Sequence, residues 1–398
     1  MPYLADKSYL AVKVEANEGQ AVRPDKFIPL VSENIATNPN YTTDRRFMGL
    51  DWKSDDLLKG GRSHEGDLVI YADPDNLGHF LNMILKKGTT TGDITDGYIH
   101  PFTVGNPKTY TIEIGKGTYA QRYFGVKGDR LRFEFVDGKL QATLSIKAMG
   151  QFSVGALAVA LTGVGMTSLK LNQEYDLSPT SGLVVGDIIQ VKQDDGTYVD
   201  LTISTITDGQ SVTFASTTIT AAIGNPVRLK LQVPSFTTLQ EPLFQGNALV
   251  GVGANESAAT TAAGSKATAT AMYEFVLEKI NNLLDAPATG SMDPIKLLPQ
   301  VREGTLTISQ LFENETQHLD WLNRVKQAIT LIVSGKAIGT GKEKLTWKCH
   351  KVKLVTNEEP LDVGNYIFDR QSFEMLYDAT DVKAITVELV NNSAGTVY

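Results

Sequence analysis

The stretch EGDLVI at Glu65–Ile70 returns as EGTLTI at Glu303–Ile308, and VEANE at Val14–Glu18 returns as VGANE at Val252–Glu256. One interval separates both pairs: residue 65 stands to 303 as 14 stands to 252. Short matches arise by chance. A shared interval, with the same order of elements around it, reads instead as an internal duplication. This constrains the chain strongly, because whatever one copy folds into, the other must fold into as well. At 398 residues the chain is long enough for two or three domains.

The first copy alternates. YTIEIG sets Tyr110, Ile112 and Ile114 against Thr111 and Glu113, and RLRFEFV sets Leu131, Phe133 and Phe135 against Arg132 and Glu134. KLQATLSIKAM sets Leu140, Ala142, Leu144, Ile146 and Ala148 against Gln141, Thr143, Ser145 and Lys147. A period of two predicts half-buried strands with one core face. Asp137-Gly138 between the last two predicts a tight hairpin. In ADPDNLGHFLNMILKK, Leu77, Phe80, Leu81, Ile84 and Leu85 recur with helical spacing and predict one amphipathic helix. Asp73 is its expected N-cap, Pro74 its first position, and Lys86 and Lys87 its dipole-matching end.

The second copy follows the same order. NALVGVGANES and AMYEFVLEKINN predict a strand pair, as do YLAVKVEANEG and KFIPLVSENI in the first. EGTLTI comes next, then NETQHLDWLNRVKQAI, expected as a helix with Asn314 as N-cap and Leu319, Leu322 and Val325 turned inward. LTWKCHKVKLV, YIFDRQSFEML and AITVELV predict strands, the last alternating Ile385, Val387 and Leu389 with Thr386 and Glu388. The link Ala254–Ala271 is long, small and polar, and predicts a flexible loop. Between the copies, GLVVGDIIQVKQDDGTYVDLTISTITDGQSVTF predicts short strands joined by the turns DDGT and TDGQ.

The expected organisation is mainly β: two tandem units, each with a flanking helix, and a small inserted β-domain. The first unit covers 1–152 and is completed by a strand near 227–233; the insert covers 153–226; the second unit covers 227–398, with its core from about 243. The insert is expected in one loop of the first copy, whose counterpart is YDATDVK, and is expected to be dispensable for the core.

Composition narrows the function classes. With 42% hydrophobic and 21% charged residues the chain reads as soluble and foldable. A net charge of −8 argues against a general nucleic-acid binder, which needs a basic face to displace counterions. Cys349 is alone, so no intrachain disulfide forms. No secretory signal is expected from the N-terminal residues. The longest apolar run, Val154–Met166, is too short and glycine-rich for a bilayer of roughly 30 Å, so membrane insertion is not expected.

Chemistry finds no foothold. His64, His79, His100, His318 and His350 are scattered, without zinc-motif spacing. DPDNLG fails as a calcium loop at Leu77 and Ile84. GKAIGTGKEK, Gly335–Lys344, is one residue too long for a phosphate loop and has Glu343 where a Ser or Thr should be. Cys349 alternates with Leu345 and Trp347 as a core thiol would. No catalytic, cofactor-binding or metal residue is nominated, and the chain does not read as an enzyme.

Certain segments resemble a known family. IPLVSENIATNP is followed by RSHEGDLVIYADPDNLGHFLNMIL, then by YIHPFTVGNPKTYTIEIG and YFGVKGDRLRFEFVDGKLQATLSIKAM. FVLEKINNLLDAP, REGTLTISQLFEN and AITVELVNN carry the likeness into the second half. These resemble the tail tube, or major tail, proteins of long-tailed bacteriophages, over nearly the whole chain outside the insert. The resemblance implies a β-barrel or sandwich with a flanking helix in each unit, closing into stacked rings around a channel for DNA. It implies self-association, with a homotrimer of pseudo-sixfold symmetry preferred and a homohexamer the alternative. It also implies tape-measure, tail-terminator and distal-tail partners, no specific DNA binding, a place in the virion, and assembly in the host cytoplasm. A net-negative channel wall is expected, since it repels phosphates and lets DNA slide. Three alternatives stay open: a tail-tip ring protein or a tube of a contractile tail or secretion machine, a carbohydrate-binding β-sandwich, and, most weakly, a β-rich enzyme.

Overall fold

The alternating segments do become strands. The computed structural model describes residues 8–43, 57–58, 60–172, 180–236, 241–272, 274–286, 291–312, 315–359, 367–394 and 398. The first copy contributes β1 (Tyr9–Val14), β2 (Lys26–Ile28), β3 (Ser32–Glu33), β4 (Ala36–Asn38), β5 (Ser63–Tyr71), α1 (Pro74–Ile84), β6 (Gly97–Thr103), β7 (Tyr110–Lys116), β8 (Tyr119–Val136), β9 (Lys139–Ala148) and β10 (Gly150–Phe152). The second contributes β11 (Ala248–Gly253), α2 (Glu256–Ala263), β12 (Glu274–Ile280), β13 (Glu303–Leu311), α3 (Thr316–Leu322), β14 (Lys326–Ile338), β15 (Gly341–Glu358), β16 (Phe368–Met375) and β17 (Ile385–Asn391).

The two long strands, β8 and β15, each run through two layers. The first half of β8 pairs with β7 and β10, and its second half with β9 and β12. β15 starts against β14 and β17 and ends against β16. A register shift marks the crossing in each, at Gly128/Arg130 and at Leu354/Thr356. Such bulges bend a strand and raise its twist, which lets it pass from one sheet to the other. Asp137 and Gly138 have φ of 50° and 73°, the left-handed pair that the β8–β9 hairpin needs.

The result is a sandwich. One layer is a single antiparallel succession through both copies: β3/β4, β5, β9, β8, β12, β13, β16, β15. The other layer is built separately in each copy, as β2–β1–β7–β8–β10 and as β11–β14–β15–β17 with β6 added at the edge. The pairing pattern recurs: Glu65 lies opposite Ala36, and Glu303, its image one repeat on, lies opposite Ile280. Leu68, Leu144, Phe133, Phe80, Phe275, Leu306, Trp347 and Leu389 belong to one apolar core shared by both copies.

Several expectations change. α1 starts as read, with Asp73 Oδ1 accepting from the Asn76 amide at 2.9 Å. It is, however, buried nearly all round, its polar Asn76, His79 and Asn82 included. The helix stops at Ile84. Lys86 and Lys87 form a short strand against β6, so they do not close the dipole. The expected pairing of NALVGVGANES with AMYEFVLEKINN is absent among the described residues. β11 pairs with β14 in one layer and β12 lies in the other, with only Val250–Thr270 bridging at that place.

The link after Ala254 is no loop. It carries helix α2, capped by the Asn255 side chain, with Ala259 and Ala263 buried. A Cβ on Gly251 would come within 2.0 Å of the Ala259 oxygen, and one on Gly253 within 2.5 Å of the Ala259 nitrogen. The bare β11 backbone therefore admits an alanine helix at van der Waals distance, and alanine is the best helix former.

α3 departs most. Asn314 lies outside the described residues, and Glu315 at the N-cap makes no side-chain capping bond. Leu319, Leu322 and Val325 are exposed at 49%, 58% and 38%, not inward. Arg324 adopts φ 53° and turns the chain into β14, so the helical reading beyond Leu322 fails.

The insert has its own core, including Leu171, Ile189, Val191, Phe214, Ile219 and Val227. The strand expected to complete the first unit pairs within the insert instead: Pro226–Leu229 lies against Val154–Ala156 and Ile188–Lys192, and beyond it Gln232 bonds Tyr9, Pro24 and Glu113 of the first unit without extending its sheet. The insert also leaves the first copy after β10, which lies on β8 as β17 lies on β15. It therefore follows that strand and does not fill the loop before it.

The insert helps bury the second face of β7 at Glu113. Arg122 of β8 bonds Glu113 Oε2 at 2.7 Å and Asp187 Oδ1 of the insert at 2.9 Å, all three side chains being buried. Burial pulls the Arg122 pKa down, but the Asp187 and Glu113 carboxylates outweigh it and hold the guanidinium charged. Tyr9 adds a hydroxyl to Glu113 at 2.7 Å.

Candidate assembly interface

The layer shared by both copies has one apolar and one polar face. β9 alternates strictly, burying Leu140, Ala142, Leu144 and Ile146 and leaving Gln141, Thr143, Ser145 and Lys147 half-buried on the other side. Cross-strand pairing carries that face along the sheet. Thr143 lies opposite Val69 and Arg132, Arg132 opposite Glu278, Glu278 opposite Thr305, and Thr305 opposite Glu374. Charges of both signs alternate with Thr and Ser, and Arg132 is held by Glu134 at 2.7 Å and Glu278 at 3.4 Å. An unbroken cationic groove, such as phosphate binding needs, is not what this face presents.

The copies join at the β8–β12 seam. Arg130 pairs with Ile280, Leu131 with Lys279, Arg132 with Glu278, Phe133 with Leu277 and Glu134 with Val276. Asn281, fully buried, locks it: its amide donates to Asp129 O at 2.7 Å, and its Nδ2 donates to Ile84 O and Gly128 O, both at 3.0 Å. The Ile84 carbonyl is at the end of α1, so a second-copy side chain satisfies a helix terminus of the first. A hairpin of Leu283–Ala286 with Lys296–Pro299 then clasps the first copy. There Lys127 Nζ donates to Leu297 O at 3.0 Å, Lys147 meets Asp285 at 3.4 Å, and Asp293 meets Arg62 at 2.6 Å and His64 at 3.0 Å. Lys279 points inward beside this seam, and burial lowers its pKa to about 8.

A second junction lies on the outer layer, where β6 pairs with β17 from Tyr98–Asn391 to Thr103–Thr386. The glycine-rich GKAIGTGKEK stretch forms the β14–β15 turn here. A Cβ on Gly339 (φ 51°) would sit 2.1 Å from Thr95 O, and one on Gly341 2.4 Å from Asp96 O. Those glycines serve a backbone-to-backbone contact between copies.

The other weighed residues also enter the architecture. Asp73 is the α1 cap, and Cys349 is buried beside Met375, its thiol pushed up to about 12 by burial. Neither ring nitrogen of His79 has a hydrogen-bond partner among the described residues, and burial drives its pKa down to about 3, whereas His318 is exposed. No described residues form a group of three His, Cys, Asp or Glu able to hold a metal, and no described helix is long and apolar enough to cross a membrane. Sequence reasoning did not single out Asn281, Lys279 or the Arg122–Asp187 pair. Each is an isolated polar residue whose meaning depends on a partner far along the chain.

A family model described as phage tail tube protein matches residues 5–373. No curated protein matches the chain.

Proposed function

The chain belongs to the phage tail tube protein family and is a structural protein of the virion, and on that premise we propose that it closes into rings that stack into the tube through which the genome leaves. The observation that carries this reading is the layer that runs without a break through both copies, polar on one face and ending, among the described residues, in a strand with an open edge on either side. Closed around an axis, it makes a barrel with no edges left to aggregate. The polar face then lines the channel, where carboxylates interleaved with hydroxyls let a polyanion slide without sticking. In this arrangement the insert sits on the outer layer, away from the channel.

Each chain supplies two like units in one sheet, so three chains give a ring of threefold symmetry and pseudo-sixfold appearance. The units span 1–152 and about 243–398, with 153–229 forming the insert between them. Tape-measure, terminator and distal-tail proteins cap or fill the tube, and assembly takes place in the host cytoplasm. The insert takes no part in the shared layer, so a chain with Gln151 bridged to Lys230 should still close rings, Arg122 keeping Glu113 as its partner once Asp187 is gone. Negative-stain microscopy of the purified chain, with averaging free of imposed symmetry and the mass of an isolated ring, tests the proposal. Three chains per ring are expected. Six would remove the pseudo-sixfold reading, and a monodisperse monomer at all concentrations would remove the tube.

A further inference from the structure

The seam inside the chain has an image at the chain's two outer edges, and we propose that β3/β4 of one chain pairs antiparallel with the end of β15 of the next, beneath α3. This rests on the reading that the chain polymerises and names the surfaces that do it. β12 pairs with β13 on one side and with β8 of the first copy on the other. Its counterpart, β3/β4, pairs among the described residues with β5 on one side only. On the other side of the seam, β8 pairs with β9 and with β12. Its counterpart, β15, pairs with β16 through Glu358, but its contact with β14 stops at Lys353. Each seam strand thus has a twin with one edge unpaired, and the two free edges face opposite ways along the same sheet.

The side chains agree. Ser32, Asn34, Ala36 and Asn38 are exposed, as are Val355, Thr356 and Glu358. Matching the strand pairings of the two copies sets Ser32 opposite Glu358, in the place of Val276 opposite Glu134, and Asn34 opposite Thr356, in the place of Glu278 opposite Arg132. α3 lies over this free edge, with Trp321 Nε1 donating to Val355 O at 2.9 Å. Leu319 and Leu322, on the same helix as Trp321, are exposed, as is Val355 at 50%. At the internal seam the corresponding helix, α1, has no such exposure, and its last carbonyl is taken by Asn281 of the second copy. An apolar helix face beside an open strand edge is a surface awaiting a partner, and among the described residues the matching surface is the other end of another copy.

Disulfide trapping tests this directly, because the sole native cysteine, Cys349, is buried. Two double variants, Ser32→Cys with Glu358→Cys and Asn34→Cys with Thr356→Cys, should give an interchain ladder in oxidised tubes, ending at the ring's full complement. A Glu134→Cys with Val276→Cys control should close within one chain. Leu319→Lys with Leu322→Lys should raise the concentration needed for polymerisation about tenfold or more while leaving the monomer folded. Tubes that yield no interchain disulfide from either pair, or that form normally from the lysine variant, overturn the edge assignment. A folded wild-type chain that forms neither ring nor tube overturns the function proposal instead.

Discussion

Helices α1 and α3 hold corresponding places in the two copies, yet one is buried nearly all round and the other shows its leucines to water. Nothing in their apolar spacing requires this. α1 lies where the second copy closes over the first, so Asn281 reaches its end and the β8–β12 seam continues the sheet beneath it. α3 lies where the sheet stops. The same contrast holds one residue deep in the sheet: the buried position taken by Ile35 beside the open edge is taken by Lys279 at the closed seam. An element's burial thus follows from what its neighbour copy supplies.

The largest expected difference between the two regions is in packing. Phe80→Ala in α1 should cost about 3–5 kcal/mol in denaturant unfolding, whereas Leu322→Ala in α3 should stay within about 0.5 kcal/mol in the unassembled chain. Equal costs would erase the contrast. Next comes the seam lysine. Its folded pKa is depressed to about 8, so between there and the free-lysine value the unfolded chain binds more protons and stability rises with pH. Lys279→Ile lacks that gain. The wild type should close on the variant by up to about 3 kcal/mol as pH is raised from 7.5 to 10. A difference that stays flat or widens would put the amine in water.

Asn281→Ala leaves the Ile84 and Gly128 carbonyls buried without their donor and should cost about 2 kcal/mol. The same substitution should raise amide exchange at the end of α1, and protection there unchanged would mean the seam does not depend on it. The smallest effect is at the caps. Asp73→Ala should cost about 1 kcal/mol, and Glu315→Ala, whose side chain caps nothing, should be neutral within the error of a melting curve.

Much of the fold is legible in the residues. The alternation in KLQATLSIKAM places every buried side chain of β9, Asp137-Gly138 turns the hairpin, and Asp73 with Pro74 opens α1 where expected. α2 escaped because alanine on bare glycine backbone packs without an apolar stripe, so no periodicity betrays it. β7 escaped for a different reason. Its Thr111 and Glu113 look like a solvated face, but Arg122 of the next strand, held by Asp187 of the insert, covers Glu113, while Thr111 donates to Glu15 and accepts from the Val22 amide. In α3 the stripe of Leu319, Leu322 and Val325 was visible, but not the absence of anything to pack it against within one chain.

What the sequence determines by itself is therefore local and repeated: which residues alternate, where a turn must be left-handed, which cap opens a helix, and that the pattern occurs twice. Those properties rest on sterics and hydrogen bonds between near neighbours, and the near neighbours are written in order. Only the tertiary structure decides which faces and edges are covered. β8 meets β12, Arg122 meets Asp187 and α2 meets β11 through groups brought together by folding, and the two remaining edges, β3/β4 and β15, stay open among the described residues.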